Sequence, residues 1–234
     1  MAKKKKLKKS EKDSDFKILK EDFTEKEKKE NKQLVIIFSF LLVFLASVVI
    51  TFIYIQQQNN FSYAGLEFRK EKDGQITWYH ARFPIIYKEE LKNIHNIYLR
   101  NNPKKNKIPI NTDFKLSREV IITFEPNLTK CDNAIVAQMT LGMFVGAFPW
   151  VKNVSGAVTD KETAEREKIV YADCSNATQD LTIIKAKISE KASIEKESEN
   201  CYVLNVANCD YLKVAERYII GVVAQINNKT AEIK

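Results

Sequence analysis

An uncharged stretch of 22 residues, Leu34 to Ile55, is the feature of this chain that most restricts how it folds. As a helix it measures roughly 33 Å, against about 30 Å for the hydrocarbon core of a bilayer. A helix also satisfies its own backbone hydrogen bonds, as lipid requires. A cleaved secretory signal would have a shorter apolar core followed by small residues, whereas this stretch ends in Ile-Gln-Gln-Gln. We therefore predict one transmembrane helix over residues 33–56, of the uncleaved signal-anchor type.

The segment before this helix, residues 1–32, consists mostly of Lys, Glu and Asp. With few apolar side chains it cannot build a core, and we expect a disordered tail. The run Lys3 to Lys6 would attract anionic lipid or RNA, but a solvated tail that only helps to set topology explains it equally. These alternatives stay open.

The distribution of basic residues predicts the orientation of the span. Positions 14–33 contain six Lys, whereas positions 56–75 contain Arg69, Lys70 and Lys72 as their basic residues. By the positive-inside rule the amino terminus stays in the cytoplasm and the large carboxy-terminal domain lies outside. The expected localisation is thus a cell membrane crossed once, with an extracytoplasmic domain.

Cysteines and glycosylation signals agree with that orientation. All four cysteines follow the span, in a compartment where disulfides persist. Five Asn-x-Ser/Thr sequons also follow it. The one at Asn60 is too close to the membrane for a glycosylating enzyme to reach. The remaining glycosylation candidates are Asn127, Asn153, Asn176 and Asn228.

Length and charge limit what the outer segment is. The formal net charge of the chain is +8, most of it in the tail, so the outer segment is nearly balanced. A nucleic-acid partner is therefore not expected for the outer domain. We divide the chain into a tail (1–32), a transmembrane helix (33–56), a linker (57–62), one extracytoplasmic domain (63–228) and a carboxy-terminal tail (229–234).

Alternating and β-branched runs predict the strands of this domain. Ala64–Glu71 and Gln75–Phe83 fit two strands, and Asp73-Gly74 between them suits a tight hairpin turn. Pro84, which has no N–H to donate, is expected to end the second strand, and a helical turn is expected within Tyr87–Ile94. The remaining strands are expected at 96–100, 120–124, 169–172, 181–188, 192–197 and 201–206, with the 181–188 and 192–197 runs paired as a hairpin.

Three helices are predicted among these strands. Asp132 is expected to cap a helix over 133–148, and the uncharged run Met139–Val151 suits a buried one. Thr159-x-x-Glu162 is a capping box for a short helix that ends near residue 168. Asp210 is expected to cap the last helix. Its apolar stripe consists of Leu212, Ala215, Ile219, Val222, Val223 and Ile226.

These elements together predict an α/β fold. We expect a mixed, predominantly β sheet with helices mainly on one face, because strand–helix units favour parallel pairing. The other face is expected to be covered partly by the amino-terminal strands or left polar.

Four cysteines allow three pairings, and spacing removes one of them. Cys201 and Cys209 bracket an extended segment of roughly 25 Å, too long for a disulfide. We favour Cys174 with Cys201 and Cys131 with Cys209. The nearest rival pairs Cys131 with Cys174 and leaves the other two free. The absence of any Cys-x-x-Cys spacing disfavours a zinc site or a redox pair.

No catalytic motif is present, and we expect no catalytic, cofactor-binding or metal-binding residue. His80 is expected to be a hydrogen-bonded structural histidine, and His95 to be exposed. Asp160, Glu162 and Glu165 resemble a solvated helix face. Asp173 follows a predicted strand, where α/β sheets tend to place ligands.

The run Tyr202–Ile226, together with Tyr171-Ala-Asp-Cys174 and Leu99-Arg-Asn-Asn-Pro103, resembles uncharacterised single-pass membrane proteins of small-genome symbiotic archaea. The resemblance covers most of the chain after the span. It implies an archaeal cell membrane with the domain on the surface, and it carries over no activity and no functional residue.

The leading hypothesis is a non-catalytic, membrane-anchored surface module whose outer domain binds a protein or an envelope component. The alternative is an extracytoplasmic, hydrolase-like enzyme with a site at the strand ends near Asp173 and Asp210. A third possibility makes the cytoplasmic tail the working part.

Overall fold

The apolar stretch forms one helix, α1 (Val35–Tyr54), in the computed structural model, which describes residue 32, residues 35–54, residue 56 and residues 59–232. α1 has a mean hydropathy of 2.9 over its most apolar window, and none of that window is buried. This helix is long and apolar enough to be a membrane anchor or a signal. Residues 1–31 of the predicted tail and residues 33, 34 and 55 of the predicted span lie outside the described residues. The chain divides into two units between Gln58 and Asn59.

The unit that follows α1 in the sequence begins with a four-stranded antiparallel sheet in the order β1-β2-β3-β4. Its turns contain residues with left-handed φ, at Ala64 and Gly65, at Gly74, and at Lys88 and Glu89, as two-residue hairpins require. The hairpin between β2 and β3 was therefore predicted correctly, but its loop residues are Gly74 and Gln75, because Asp73 still pairs with Ile76. β1 starts inside the predicted linker. The strands are β1 (Asn60–Tyr63), β2 (Leu66–Asp73), β3 (Ile76–Tyr87) and β4 (Glu90–Leu99).

Two local predictions in this sheet were wrong. Tyr87–Ile94 holds no helical turn, because Lys88 and Glu89 close a hairpin between β3 and β4. Pro84 does not end its strand. It lies in the part of β3 beyond Ala81. There β3 no longer pairs with β2, and β4 is its one neighbour among the described strands. A missing N–H is tolerated there because that side of β3 is an edge.

A second sheet contains six strands in the order β5-β9-β10-β8-β6-β7. β10, β8, β6 and β7 run parallel to one another, and β9 is antiparallel to β10. The strands are β5 (Ile110–Asn111), β6 (Glu119–Phe124), β7 (Asn153–Val158), β8 (Leu181–Ile188), β9 (Ser193–Ser198) and β10 (Cys201–Val206).

The structure corrects two expectations here. β8 and β9 do not pair as a hairpin, because β10 lies between them. Residues 169–172 do not form a buried strand. Tyr171 makes one bridge to Val158, while Ile169 and Val170 are exposed. The strand in this region is instead β7, which the sequence analysis did not anticipate.

Helices α2 (Ala134–Gly146) and α4 (Tyr211–Glu232) pack between the two sheets. The predicted stripe of α4 is buried, with Ile226 partly so, and α4 extends into the predicted carboxy-terminal tail. The short helix α3 (Lys161–Glu167) is capped by Asp160, which accepts from the Thr163 N–H, and not by Thr159. The mixed α/β fold in which strands dominate is thus confirmed.

The layer order differs from the expected one. Phe83 of β3 contacts Phe144 and Phe148, so the four-stranded sheet covers the helices and not the far face of the other sheet. That far face carries a smaller core. Its buried members are Ala157, Ala172, Cys174, Ile183, Cys201 and Val203.

The two disulfides of the unit after α1 join the favoured cysteine pairs. Cys131 is bonded to Cys209, with Cα atoms 5.1 Å apart, just before α2 and α4 begin. Cys174 is bonded to Cys201, with a Cα separation of 5.4 Å, in the smaller core. The first bond therefore ties together the beginnings of the two central helices.

We expect Gly221→Ala to lower the free energy of unfolding by about 1–3 kcal/mol, the usual cost of overpacking a core. A Cβ at Gly221 of α4 would lie 2.6 Å from Ile110 Cδ1 and 2.7 Å from a ring carbon of Phe114. The matched control is Gly142→Ala in α2, whose Cβ would meet its nearest atom, on Ile122, at 3.9 Å.

The control should be neutral or stabilising, since Ala favours a helix over Gly by about 1 kcal/mol. Denaturant titration of the detergent-solubilised chain, followed by tryptophan fluorescence, measures both variants. Equal effects of the two substitutions would contradict the close approach at Gly221.

Candidate functional site

A groove of about 710 Å³ runs along β4, the outer strand of the four-stranded sheet. One wall is the β4 segment His95–Tyr98, and the other is α2, with Trp78 and the 71–73 segment at one end. The lining is mostly apolar. Its α2 members are Val136, Met139, Thr140, Met143 and Phe144. A largely apolar groove with a few polar side chains at its margin is typical of a binding site.

Among the sheet edges of the described chain, β4 is the longest stretch without a neighbouring strand on one side. β1 has four residues and β5 has two. β7 has six residues, and its edge is covered at Val158, which exchanges backbone hydrogen bonds with Val170 and Ala172. β4 has ten residues, carries no charged side chain after Lys92, and pairs on its outer side with none of the described strands. Such an edge offers backbone donors and acceptors to another chain.

α2 presents apolar side chains to solvent next to this edge. Ile135, Met139 and Met143 follow one another at four-residue spacing and are 71%, 59% and 60% exposed. The expectation that this uncharged run is buried thus holds for its other face alone, where Ala137, Leu141 and others are buried. An exposed apolar stripe beside an open strand is a feature of partner-binding surfaces.

Both histidines lie on β3 and β4. His80 Nε2 is 3.2 Å from Asn96 Oδ1, its ring stacks on Tyr98, and Glu71 lies 3.6 Å from Nδ1, which agrees with a hydrogen-bonded structural role. His95 was expected to be exposed, but it is partly buried in the groove against the Phe144 ring. Burial lowers the pKa of His95, so the ring is neutral at pH 7.

Asp173 lies beside Lys185 on the far face of the six-stranded sheet. Partial burial acts to raise the pKa of Asp173, but the hydrogen bond from Lys185 and the Cys174 N–H outweigh it, so that pKa is lowered. Lys185 Nζ lies 2.7 Å from Asp173 and 3.9 Å from Glu197. Asp173, Cys174 and Glu197 have ligand-type atoms within 4.8 Å of one another. Because the Cys174 sulfur is in a disulfide and Lys185 already supplies a cation, this arrangement favours an ion pair over a metal centre.

The structure does not bring Asp173 and Asp210 together. Asp173 adjoins the disulfide at the beginning of β10, whereas Asp210 follows the end of β10 and pairs with Lys213 at 3.7 Å. A six-residue strand, about 20 Å long, separates these ends. Neither histidine approaches either carboxylate among the described contacts.

A polar cavity of about 780 Å³ lies at the carboxyl ends of β6 and β7, the position where α/β sheets tend to bind ligands. Its polar groups already have partners. Glu125 accepts from the Ile188 N–H, Asp160 caps α3, and Arg166 pairs with Glu167. Asp160, Glu162 and Glu165 are exposed, as expected for a solvated face.

The four glycosylation candidates lie on different local structures. Asn127 and Asn153 are exposed, in a short 3-10 helix and at the start of β7. Asn176 is exposed, but its side-chain oxygen accepts from the Asp173 N–H. Asn228 is exposed within α4. Whether any of them carries a glycan stays a prediction.

A buried carboxylate joins the end of β4 to α4. Glu216 is 2% exposed and accepts hydrogen bonds from the backbone N–H groups of Arg100 and Asn101, at 2.6 and 3.0 Å, and from the Asn101 amide at 2.8 Å. Burial raises the pKa of Glu216 to about 6, although these donors oppose the shift. The contact thus fixes the loop that follows β4.

The Glu216 carboxylate makes the stability of the unit after α1 depend on pH. Between about pH 4.5 and 6 the folded protein holds a proton that the unfolded chain has released. The stabilisation is present below about pH 4.5 and is lost as pH rises through about 6, by about 2 kcal/mol.

Glu216→Gln should therefore reduce, by about 2 kcal/mol, the change in the free energy of unfolding between pH 4 and pH 7.5, measured by denaturant titration. Glu165→Gln, on the exposed face of α3, should retain the wild-type profile, and a Glu216→Gln profile equal to wild type would contradict the assignment.

The sequence analysis missed the groove and Glu216. Since α2 is apolar around its whole circumference, no periodicity indicated which face is exposed. For Glu216 a signal was present, because a carboxylate between Ala215 and Ile219 of an apolar stripe implies a buried partner.

No protein-family model matches this chain, and no curated protein or solved structure resembles it at a significant level.

Proposed function

We propose that this chain is a single-pass, membrane-anchored surface protein whose outer domain binds a protein partner through the groove between β4 and α2, without catalysing a reaction. One observation carries the proposal. An uncovered edge strand, with no charged side chain after Lys92, lies beside an exposed apolar helix face, and together they form a groove of about 710 Å³. An envelope component of another chemistry is the broader form of the same hypothesis.

The groove offers two kinds of interaction to a polypeptide. β4 supplies backbone donors and acceptors to an added strand, and Met139 and Met143 supply adaptable apolar contact for its side chains. The ordered polar pairs elsewhere, such as Lys185 with Asp173, are satisfied internally. A binding role therefore accounts for the exposed apolar surface better than a catalytic role does.

The anchor and the disulfides support a surface location. α1 has the length and composition of a membrane span, and two disulfides suit an oxidising compartment. The Lys-rich segment before α1 favours a cytoplasmic amino terminus. From the archaeal resemblance, we expect the membrane to be that of an archaeal cell.

Protease treatment of intact cells tests this topology. With one epitope tag at each terminus, we expect the carboxy-terminal tag to be lost and the amino-terminal tag to be protected until the envelope is broken. A carboxy-terminal tag that survives on intact cells would exclude the proposed orientation.

Paired charge substitutions test the binding surface. In the full chain, Met139→Asp with Met143→Asp should lower recovery of a crosslinked partner at least tenfold, because two carboxylates would be buried on binding. Ile188→Asp is the matched control, since Ile188 is 50% exposed at the end of β8 and lies outside the groove. Full recovery with the paired variant would contradict a role for this groove.

A further inference from the structure

We propose that the disulfide between Cys131 and Cys209 is a site of thiol–disulfide exchange, which a small external dithiol opens in the folded protein while the other disulfide stays closed. The inference goes beyond the proposed function, because the cavity beside this bond shares no lining residue with the groove. The bond is the target of the exchange and not its catalyst, so the missing Cys-x-x-Cys spacing does not count against it.

Access distinguishes the two disulfides. Cys209 is exposed, and both Cys131 and Cys209 line an open cavity of about 510 Å³. Small-molecule sites range from about 300 to 1,000 Å³, so a small thiol can enter this cavity. Cys174 and Cys201 are 6% and 0% exposed and pack in the smaller core. Since a thiolate must reach a sulfur atom to attack it, exchange at the buried bond requires that core to open first.

The backbone at the exposed cysteine also favours opening of the bond. Cys209 has a φ of 59° and Asn208 before it a φ of 52°, both in the left-handed region that non-glycine residues seldom adopt. Cys131, Cys174 and Cys201 have no such φ. The Cys131–Cys209 bond is one of the constraints that hold this conformation, so relief of the strain favours the reduced form.

Positive charge around the cavity stabilises both the attacking and the leaving thiolate. The cavity carries a net charge of +1, from three basic and two acidic lining residues: Arg100, Lys130, Lys213, Asp132 and Asp210. The Lys130 ammonium bonds the neutral amide of Asn127 at 3.3 Å, which leaves its charge in place. α2 and α4 begin three residues after Cys131 and two residues after Cys209, and helix N-termini stabilise anions.

The exchange consists of two steps. A thiolate of the dithiol attacks the Cys209 sulfur, the bond to Cys131 breaks, and the Cys131 thiolate leaves. The second thiolate of the dithiol then displaces the Cys209 sulfur, and the dithiol closes to a cyclic disulfide. Two electrons pass from the dithiol to the protein, and its two thiol protons reach the two cysteine sulfurs through water. The attack is expected at Cys209 because Cys131 is 6% exposed.

The fold is expected to survive this reduction. α2 and α4 remain buried through side chains that do not depend on the disulfide, among them Leu141, Val214 and Ile219. Arg100 Nη1 also donates to Asn133 Oδ1 at 2.6 Å, which holds the residue just before α2. The reduced chain therefore differs from the oxidised chain in one local connection between the beginnings of the two helices.

Partial reduction of the full chain in detergent micelles tests the proposal. The probe is dithiothreitol without denaturant, and the free thiols are trapped with N-ethylmaleimide at timed intervals and assigned by peptide mass spectrometry. We expect the thiols of Cys131 and Cys209 to appear at least tenfold faster than those of the other disulfide, while the circular dichroism of the helices and strands is unchanged. Equal rates for the two bonds, faster opening of Cys174–Cys201, or thiols that appear only after the circular dichroism has changed would each overturn the proposal.

Two variants test which sulfur is attacked. Cys131→Ser leaves the Cys209 thiol free, and Cys209→Ser leaves the Cys131 thiol free. Each is the control of the other, because both lack the same bond and lose the stability that it supplies. We expect the Cys209 thiol to react with glutathione disulfide at least tenfold faster than the Cys131 thiol, because Cys209 is exposed and Cys131 is buried. Equal rates, or a faster Cys131 thiol, would rule out attack at Cys209.

Discussion

The burial of α4 between two sheets is the constraint on which the unit after α1 depends. One side of the helix packs on the six-stranded sheet, and another side meets the four-stranded sheet. Backbone groups of the loops around such a helix are costly to leave unpaired, because water reaches them poorly. Its polar side chains therefore complete the surrounding backbone. Glu216 accepts hydrogen bonds from the loop after β4, and Arg217 donates to the Ile108 carbonyl. The Gln225 side chain accepts from the backbone N–H of Phe114 and donates to its carbonyl. Asn227 donates to the Ala64 carbonyl.

Local patterns in the sequence predicted elements, but not their neighbours. The stripe of α4 and the apolar run of β10 were recognisable because each element is buried on defined faces. The error over β8 and β9 arose because adjacent strands usually pair. Here β10 lies between them, and it pairs with β8 in parallel. Pro84 misled for a related reason. A proline is excluded only from a strand with neighbours on both sides, and the length of β2 decides whether β3 has them.

The candidate site depended even more on tertiary structure. Whether a strand lies at an edge is a property of the whole sheet, so the predicted strand at 96–100 gave no indication that β4 is an edge strand. α2 gave no indication of its exposed face, because a uniformly apolar helix has no preferred side. The disulfide pairing could be anticipated, since Cys131 and Cys209 precede helices that start at the same edge of one sheet. The sequence alone therefore predicted the helices, most of the strands and the disulfides, but not the groove between β4 and α2.

The hydrogen bond from Asn227 to the Ala64 carbonyl, 2.8 Å long, brings the last helix of the unit after α1 against its first hairpin. Arg217, 3.1 Å from the Tyr63 hydroxyl, adds a second contact between the same two elements. The joined residues are 163 and 154 positions apart in the sequence. The beginning and the end of this unit are therefore held directly against each other.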